Sequence, residues 1–158
     1  MILSAKKYVY IESPYFVPDE AFFSALTIAA SSGVDVPVMT PAVTDHPFVY
    51  GANSVYGGGL LEHGGRLFRY EKGFLHAKMM VVDDELVTIG TTNIDVRSFS
   101  LNFEINAIIF DEDFAIQCRQ AFEKDQQESF EMTLERYAAR PLWTKVREAV
   151  SKLLSPIL

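Results

Sequence analysis

The spacing of apolar and polar positions changes period several times along the chain, and each change marks an element. Residues 7–12 alternate into a short strand that Ser13 and Pro14 end. Pro18, Asp19 and Glu20 read as a helix start with Asp19 as N-cap, followed by an apolar run over 21–30 that Gly33 stops. Residues 34–39 are apolar on both parities, as in a strand covered on both faces. A loop over 40–46 leads to a helical pattern over 48–62, which Gly57, Gly58 and Gly59 weaken. Strands are expected at 66–70, 75–82, 85–89 and 103–110, the second and third joined by an Asp83-Asp84 turn. Helices are expected at 113–129 and 142–154. This alternation predicts an α/β fold, a mixed β-sheet flanked by helices on both faces. No repeat or linker divides residues 1–158, so they read as one domain that ends in an amphipathic basic helix and tail at 141–158.

Composition narrows the class. With 49% hydrophobic and 13% aromatic residues the chain has material for a packed core and is not disordered. One cysteine, Cys118, excludes a disulfide scaffold and reads as a packing residue. No apolar run approaches the ~20 residues of a membrane span. The N-terminus lacks the charge-then-apolar order of a secretory signal. Net charge is −7 but unevenly spread: the first 135 residues carry 9 basic and 20 acidic groups, and the rest carry +4. An acidic body is a poor nucleic-acid binder. The basic tail suits an anionic lipid surface. Its apolar stripe (Leu142, Val146, Ala149, Val150, Leu153, with Trp143 beside it) is expected to pack on the domain, with membrane contact as the second reading.

Chemistry concentrates in three stretches: Phe74-Leu75-His76-Ala77-Lys78, Gly90-Thr91-Thr92-Asn93, and Asn102-Phe103-Glu104. On a strand His76 and Lys78 share one face while Leu75, Ala77 and Met79 take the other. An imidazole beside an ammonium is arranged to meet an anion, the first as nucleophile or proton carrier and the second as a fixed charge. A glycine turn with a hydroxyl and an amide suits phosphate oxygens. Glu104 is a carboxylate among apolar neighbours, and its natural use is to orient a histidine ring.

The pattern His76-x-Lys78-x4-Asp83-x6-Gly90-Thr91-x-Asn93 resembles the HKD signature of the phospholipase D superfamily, with threonine where serine is commoner. Glu12-Ser-Pro-Tyr-Phe-Val-Pro-Asp19, Asp45-His46, Arg97-Ser98, Leu101-Asn-Phe-Glu104 and Leu154-Ser-Pro-Ile-Leu158 make it most similar to the second half of bacterial cardiolipin synthases. The resemblance implies one of the two halves of a phospholipase D-like fold, working without metal or cofactor through a phosphohistidine. It implies His76 as general acid, or nucleophile in the alternative, with Lys78 and Glu104 catalytic. Thr91 and Asn93 would hold phosphate, with Tyr15 and His46 near the lipid. Asp83 and Gly90 would support the motif.

Only one such motif is present, because His46 and His63 have no lysine two residues on. The chemistry needs two histidines, so the expected partners are a missing N-terminal half or a homodimer mate. The implied reaction moves a phosphatidyl group between two phosphatidylglycerol molecules at the bacterial cytoplasmic membrane, with this segment itself soluble on the cytoplasmic side. Two alternatives stand beside it: a homodimeric single-motif phosphodiesterase or nuclease, and a non-catalytic fragment that binds anionic lipid.

Overall fold

In the computed structural model, which describes residues 1–43 and 47–154, a single seven-stranded mixed sheet organises the chain. Its strands are β1 (Val9–Glu12), β3 (Pro37–Pro41), β4 (Arg66–Tyr70), β5 (Met79–Val82), β6 (Leu86–Gly90), β8 (Asn106–Ile109) and β9 (Ser129–Met132), in the order β8-β6-β5-β1-β3-β4-β9. The strands β1, β3 and β4 run parallel, and the other four join antiparallel. A separate parallel pair, β2 (Phe16–Val17) and β7 (Ile94–Asp95), lies beyond the end of β1.

Both faces of the sheet are covered by helices, as expected from the strand–helix alternation. On one side α1 (Glu20–Ser31) and α2 (Pro47–Glu62) pack Leu26, Ala29, Ala30 and Leu60 on Val9, Ile11, Val36 and Val38. On the other, α4 (Glu112–Gln127) packs Ala115, Cys118 and Phe122 on Tyr8, Met39, Val81 and Val87. Asp19 caps α1 as expected, accepting from the Phe22 N–H at 2.7 Å. Helix α2 runs unbroken through Gly57–Gly59; at Gly58 a side chain would collide with the ring of Tyr137. The short helices α3 (Val96–Ser100) and α5 (Leu134–Ala138) and the edge strand β9 were not legible in the pattern.

The final helix, α6 (Leu142–Leu154), forms at its expected position but faces the other way. Its inward side is polar: Glu148 and Ser151 are 2% and 1% exposed, whereas Leu142, Trp143 and Leu153 are 77%, 78% and 80% exposed. Its partner explains the inversion. Helix α2 offers Gly51 and Ser54, and Glu148 is paired with Arg140 beside the buried Arg69. Among the described residues no helix is long and apolar enough to cross a membrane.

The Asp83-Asp84 turn is where the N-terminus, the hairpin and α4 meet. Its Glu85 N–H closes on Val82 O at 2.9 Å, with φ of 55° and 59° at the two aspartates. Positive φ at both central positions belongs to the hairpin turn that follows sheet twist and admits few residues besides Gly, Asn and Asp. The Asp83 carboxylate accepts three consecutive backbone N–H groups, from Lys6 at 2.6 Å, Lys7 at 2.9 Å and Tyr8 at 2.8 Å. Asp84 accepts from the Tyr8 hydroxyl at 2.7 Å and Arg119 Nε at 2.8 Å.

Burial by itself would raise the Asp83 carboxyl pKa, but the three N–H donors outweigh it and hold it below the ordinary 3.8. A lowered folded value means stability present above the unfolded pKa and lost as pH falls through the folded one. We therefore expect Asp83→Asn to cost about 2 kcal/mol at neutral pH. The gap to wild type, read from urea midpoints, should close as pH drops below 3.8.

Candidate phosphate-binding site

The site lies at the end of the β5–β6 hairpin away from the Asp83-Asp84 turn. Sequence alternation places His76 and Lys78 inside a strand; in the structure they sit in the extended run just before β5. The cause is the neighbour. The last pair between β1 and β5 is Glu12 with Met79, after which Ser13 turns to bond Met39 O at 3.1 Å and Pro14 follows. Residues 75–78 therefore have no partner on that edge. The alternation itself survives, since Leu75, Ala77 and Met79 join the α4-side core while Lys78 faces the α1 side. The Lys78 ammonium donates to His76 O at 3.0 Å, and the exposed His76 ring stacks on Phe74 with centroids 5.6 Å apart.

Across the hairpin, Gly90 N–H donates to Lys78 O at 3.2 Å, which ties the two halves of the motif together. Gly90 has no room for a side chain, since a Cβ would lie 2.1 Å from Ile105 O. Thr91, expected to face phosphate, is committed to the loop beyond: its N–H donates to Ile105 O at 2.9 Å and its hydroxyl accepts from Ile105 N–H at 3.0 Å. Thr92 N–H donates to Asn106 Oδ1 at 3.2 Å, and Asn106 Nδ2 reaches Thr88 Oγ1 at 3.2 Å. Among the described residues the buried Asn93 Oδ1 has no hydrogen-bond partner. In the parallel β2–β7 register Phe16 pairs with Ile94, so the half-buried Tyr15 comes beside Asn93.

Glu104 departs furthest from its expected role. It precedes β8, which begins at Asn106 opposite Gly90, and its carboxylate accepts from Asn102 Nδ2 at 3.4 Å. Among the described residues no hydrogen bond joins it to His76. Its charge acts on Lys78 instead: burial pulls the Lys78 pKa down, and Glu104 pushes back. His46 lies outside the described residues. The structure thus gathers His76, Lys78, Gly90, Thr91, Asn93, Glu104 and Tyr15 at one end of the sheet, and Asp83 at the other.

One further group was passed over. Glu12, at the site end of the central strand, is 3% exposed, and its Oε1 has no partner among the described residues. Burial, with a smaller contribution from the charge of Asp125, pushes its carboxyl up to about 7. It helps line a cavity of about 60 Å³ with Lys78, Thr92, Asn106, Ile94 and Phe99. The signal was present, because Glu12 is the single charged residue in an otherwise apolar strand, the same argument that singled out Glu104.

Comparison with known proteins bears on the family and the fold. The family model described as "Cardiolipin synthase, PLD-like domain" matches residues 1–126. The chain belongs to this family. It is 52% identical over 158 residues to cardiolipin synthase 1 of Staphylococcus epidermidis (strain ATCC 12228 / FDA PCI 1200), covering 100% of this chain and 32% of that protein. It is equally 52% identical to the cardiolipin synthase of Staphylococcus aureus (strain N315), with the same coverage. The chain thus spans about a third of the length of these relatives. Among solved structures it is similar to Nuc of Salmonella typhimurium, a phospholipase D family member. The TM-score is 0.72 at 20% identity, over 84% of this chain and 86% of that one. It also resembles phosphatidylserine synthase of Haemophilus influenzae, at TM-score 0.71 and 17% identity over 99% of this chain and 43% of that one. At these identities the structures speak for the fold alone, and the fold they share with this chain is that of the phospholipase D family.

A buried acid with a raised pKa destabilises the fold once it ionises, so the cost of Glu12 is absent below its unfolded value and complete above about 7. Between those limits stability should fall by roughly 3 kcal/mol. Glu12→Gln should remove that slope, and chemical denaturation at acidic and mildly alkaline pH measures it. A variant that keeps the wild-type slope would mean that Glu12 is solvated in the folded protein.

Proposed function

We propose that this chain forms one phosphate-binding half of a cardiolipin synthase, paired with a second half that brings the other histidine. The observation that carries the reading is the 52% identity to a cardiolipin synthase over 158 residues, the full length of the chain. The geometry supports it. An imidazole and a partly desolvated ammonium leave the same sheet end as the Gly90–Asn93 loop, an arrangement suited to phosphate oxygens.

In this reading the partner histidine attacks the phosphorus of phosphatidylglycerol, forming a P–N bond as the P–O bond to glycerol breaks. His76 gives its proton to the departing glycerol oxygen. A hydroxyl of a second phosphatidylglycerol then attacks the same phosphorus and yields its proton to His76, and the P–N bond breaks to release cardiolipin. Lys78 offsets charge on the phosphoryl oxygens, Asn93 positions them, and Tyr15 borders the entrance for lipid. Glu104 acts on Lys78 in the half seen here, and orienting His76 would require closure against the mate.

Support for a mate comes from the surface beside the site. Leu101, Phe103, Ile105, Ile108 and Phe110 surround Glu104 and the edge strand β8, and all five are exposed. So many large exposed apolar side chains within ten residues of chain suit an interface. The second reading, a phosphodiesterase made of two copies of this chain, draws on the similar size and fold of Nuc. It has to place a polyanion on a body of charge −11.

In the full-length enzyme His76→Ala should lower cardiolipin formation from phosphatidylglycerol vesicles by at least ~10²-fold while the protein stays folded. Phosphoenzyme should still be trapped if His76 is the general acid. Retained turnover would remove His76 from the chemistry, and loss of phosphoenzyme would make it the nucleophile.

A further inference from the structure

The outward face of α6 is a feature the catalytic reading does not use. At 100° per residue, Leu142, Val146, Ala149, Val150 and Leu153 with Trp143 span an arc of roughly 120°. The opposite side, Glu148 and Ser151, is the one buried on α2. The docking is close, since a Cβ on Gly51 would lie 2.4 Å from Ser151 Oγ, and the Arg140–Glu148 ion pair fixes the register. The helix is held to the domain by its polar side, and its apolar side is a convex ridge.

The charges complete the pattern. Lys145 and Lys152 flank the arc on one edge and Arg147 on the other, while the helix's one acid, Glu148, is buried and paired. Lys145 donates to Ala138 O at 2.7 Å and Lys152 lies 5.6 Å from the Tyr56 ring, so both stems are steadied while the charges remain. The same lysines line a groove of about 850 Å³ between α2, α5 and α6, open beside the arc. A convex apolar arc bordered by cations, with its tryptophan at the edge, matches a plane of anionic headgroups over hydrocarbon. We propose that α6 lies flat on an anionic bilayer surface and orients the domain there. The proposal rests on the lipid-substrate reading for why a bilayer is at hand. Its test involves no turnover, so the two can fail separately.

Trp143 is the chain's one tryptophan and reports directly. Vesicles of phosphatidylglycerol should shift its emission to the blue, and vesicles of phosphatidylcholine should do so far less. By flotation, Trp143→Ser with Val146→Ser and Val150→Ser should weaken binding at least about tenfold. Lys145→Glu with Arg147→Glu and Lys152→Glu should weaken it on the order of 10²-fold. These positions face solvent, and unchanged thermal melts would show the fold intact. Phe103→Ser with Phe110→Ser, on the edge-strand surface, should bind as wild type. Equal binding to both vesicle types, wild-type binding by either α6 variant, or loss of binding in the Phe103 variant would overturn the proposal. So would lipid-free self-association abolished by the α6 substitutions, which would make the arc a contact between copies.

Discussion

Three backbone N–H groups converging on the Asp83 carboxylate determine where the rest of the site can be. Lys6, Lys7 and Tyr8 lead into the central strand, and Asp83 opens the turn of the neighbouring hairpin, so this cluster locks strand β1 against β5 in one register. From that lock, antiparallel pairing runs about 15 Å along the sheet. There the β1 partner stops at Glu12, and the chain emerges extended with Lys78 on one face and Leu75, Ala77 and Met79 on the other. A slip of one residue would reverse those faces and send the ammonium into the α4-side core. The aspartate of the motif thus acts at a distance, through register.

The same constraint explains why a sparse pattern such as His76-x-Lys78-x4-Asp83-x6-Gly90 is so legible. Each spacing is a structural length. Two residues keep imidazole and ammonium on one side, the next interval is the strand to the turn, and the last returns along β6 to the residue opposite Lys78. The mixed sheet with two helical layers followed from the alternation of periods, because each buried strand needed cover on both faces. Asp19 as an N-cap and Asp83-Asp84 as a turn were local chemistry, readable without tertiary knowledge.

What could not be read was decided by neighbours far along the chain. An apolar stripe on α6 implied an inward face, yet the glycine and serine surface of α2 and the Arg140–Glu148 pair turned that helix over. Gly57–Gly59 weakened the helical pattern, although in place Gly57 admits Leu67 and Gly58 admits Tyr137. Strand β9 forms because β4 has an open edge, and residues 129–132, just past the helical pattern, pair with it. The partners of Thr91 and Glu104 depend on how the 101–105 loop returns to the hairpin, a route no spacing encodes. Glu12 shows the reverse case: its charge in an apolar strand was visible, and the fold adds that it is buried.

Register delivers His76 and Lys78 together to an oxyanion. Titration of inorganic phosphate into protein labelled with ¹⁵N on the histidine rings and lysine ammonium groups puts this delivery to the test. His76 and Lys78 should shift together and saturably, while His63, held by Gly59 O outside the site, stays still. Movement of all histidines alike, or of Lys78 without His76, would mean that the two side chains do not meet the anion together.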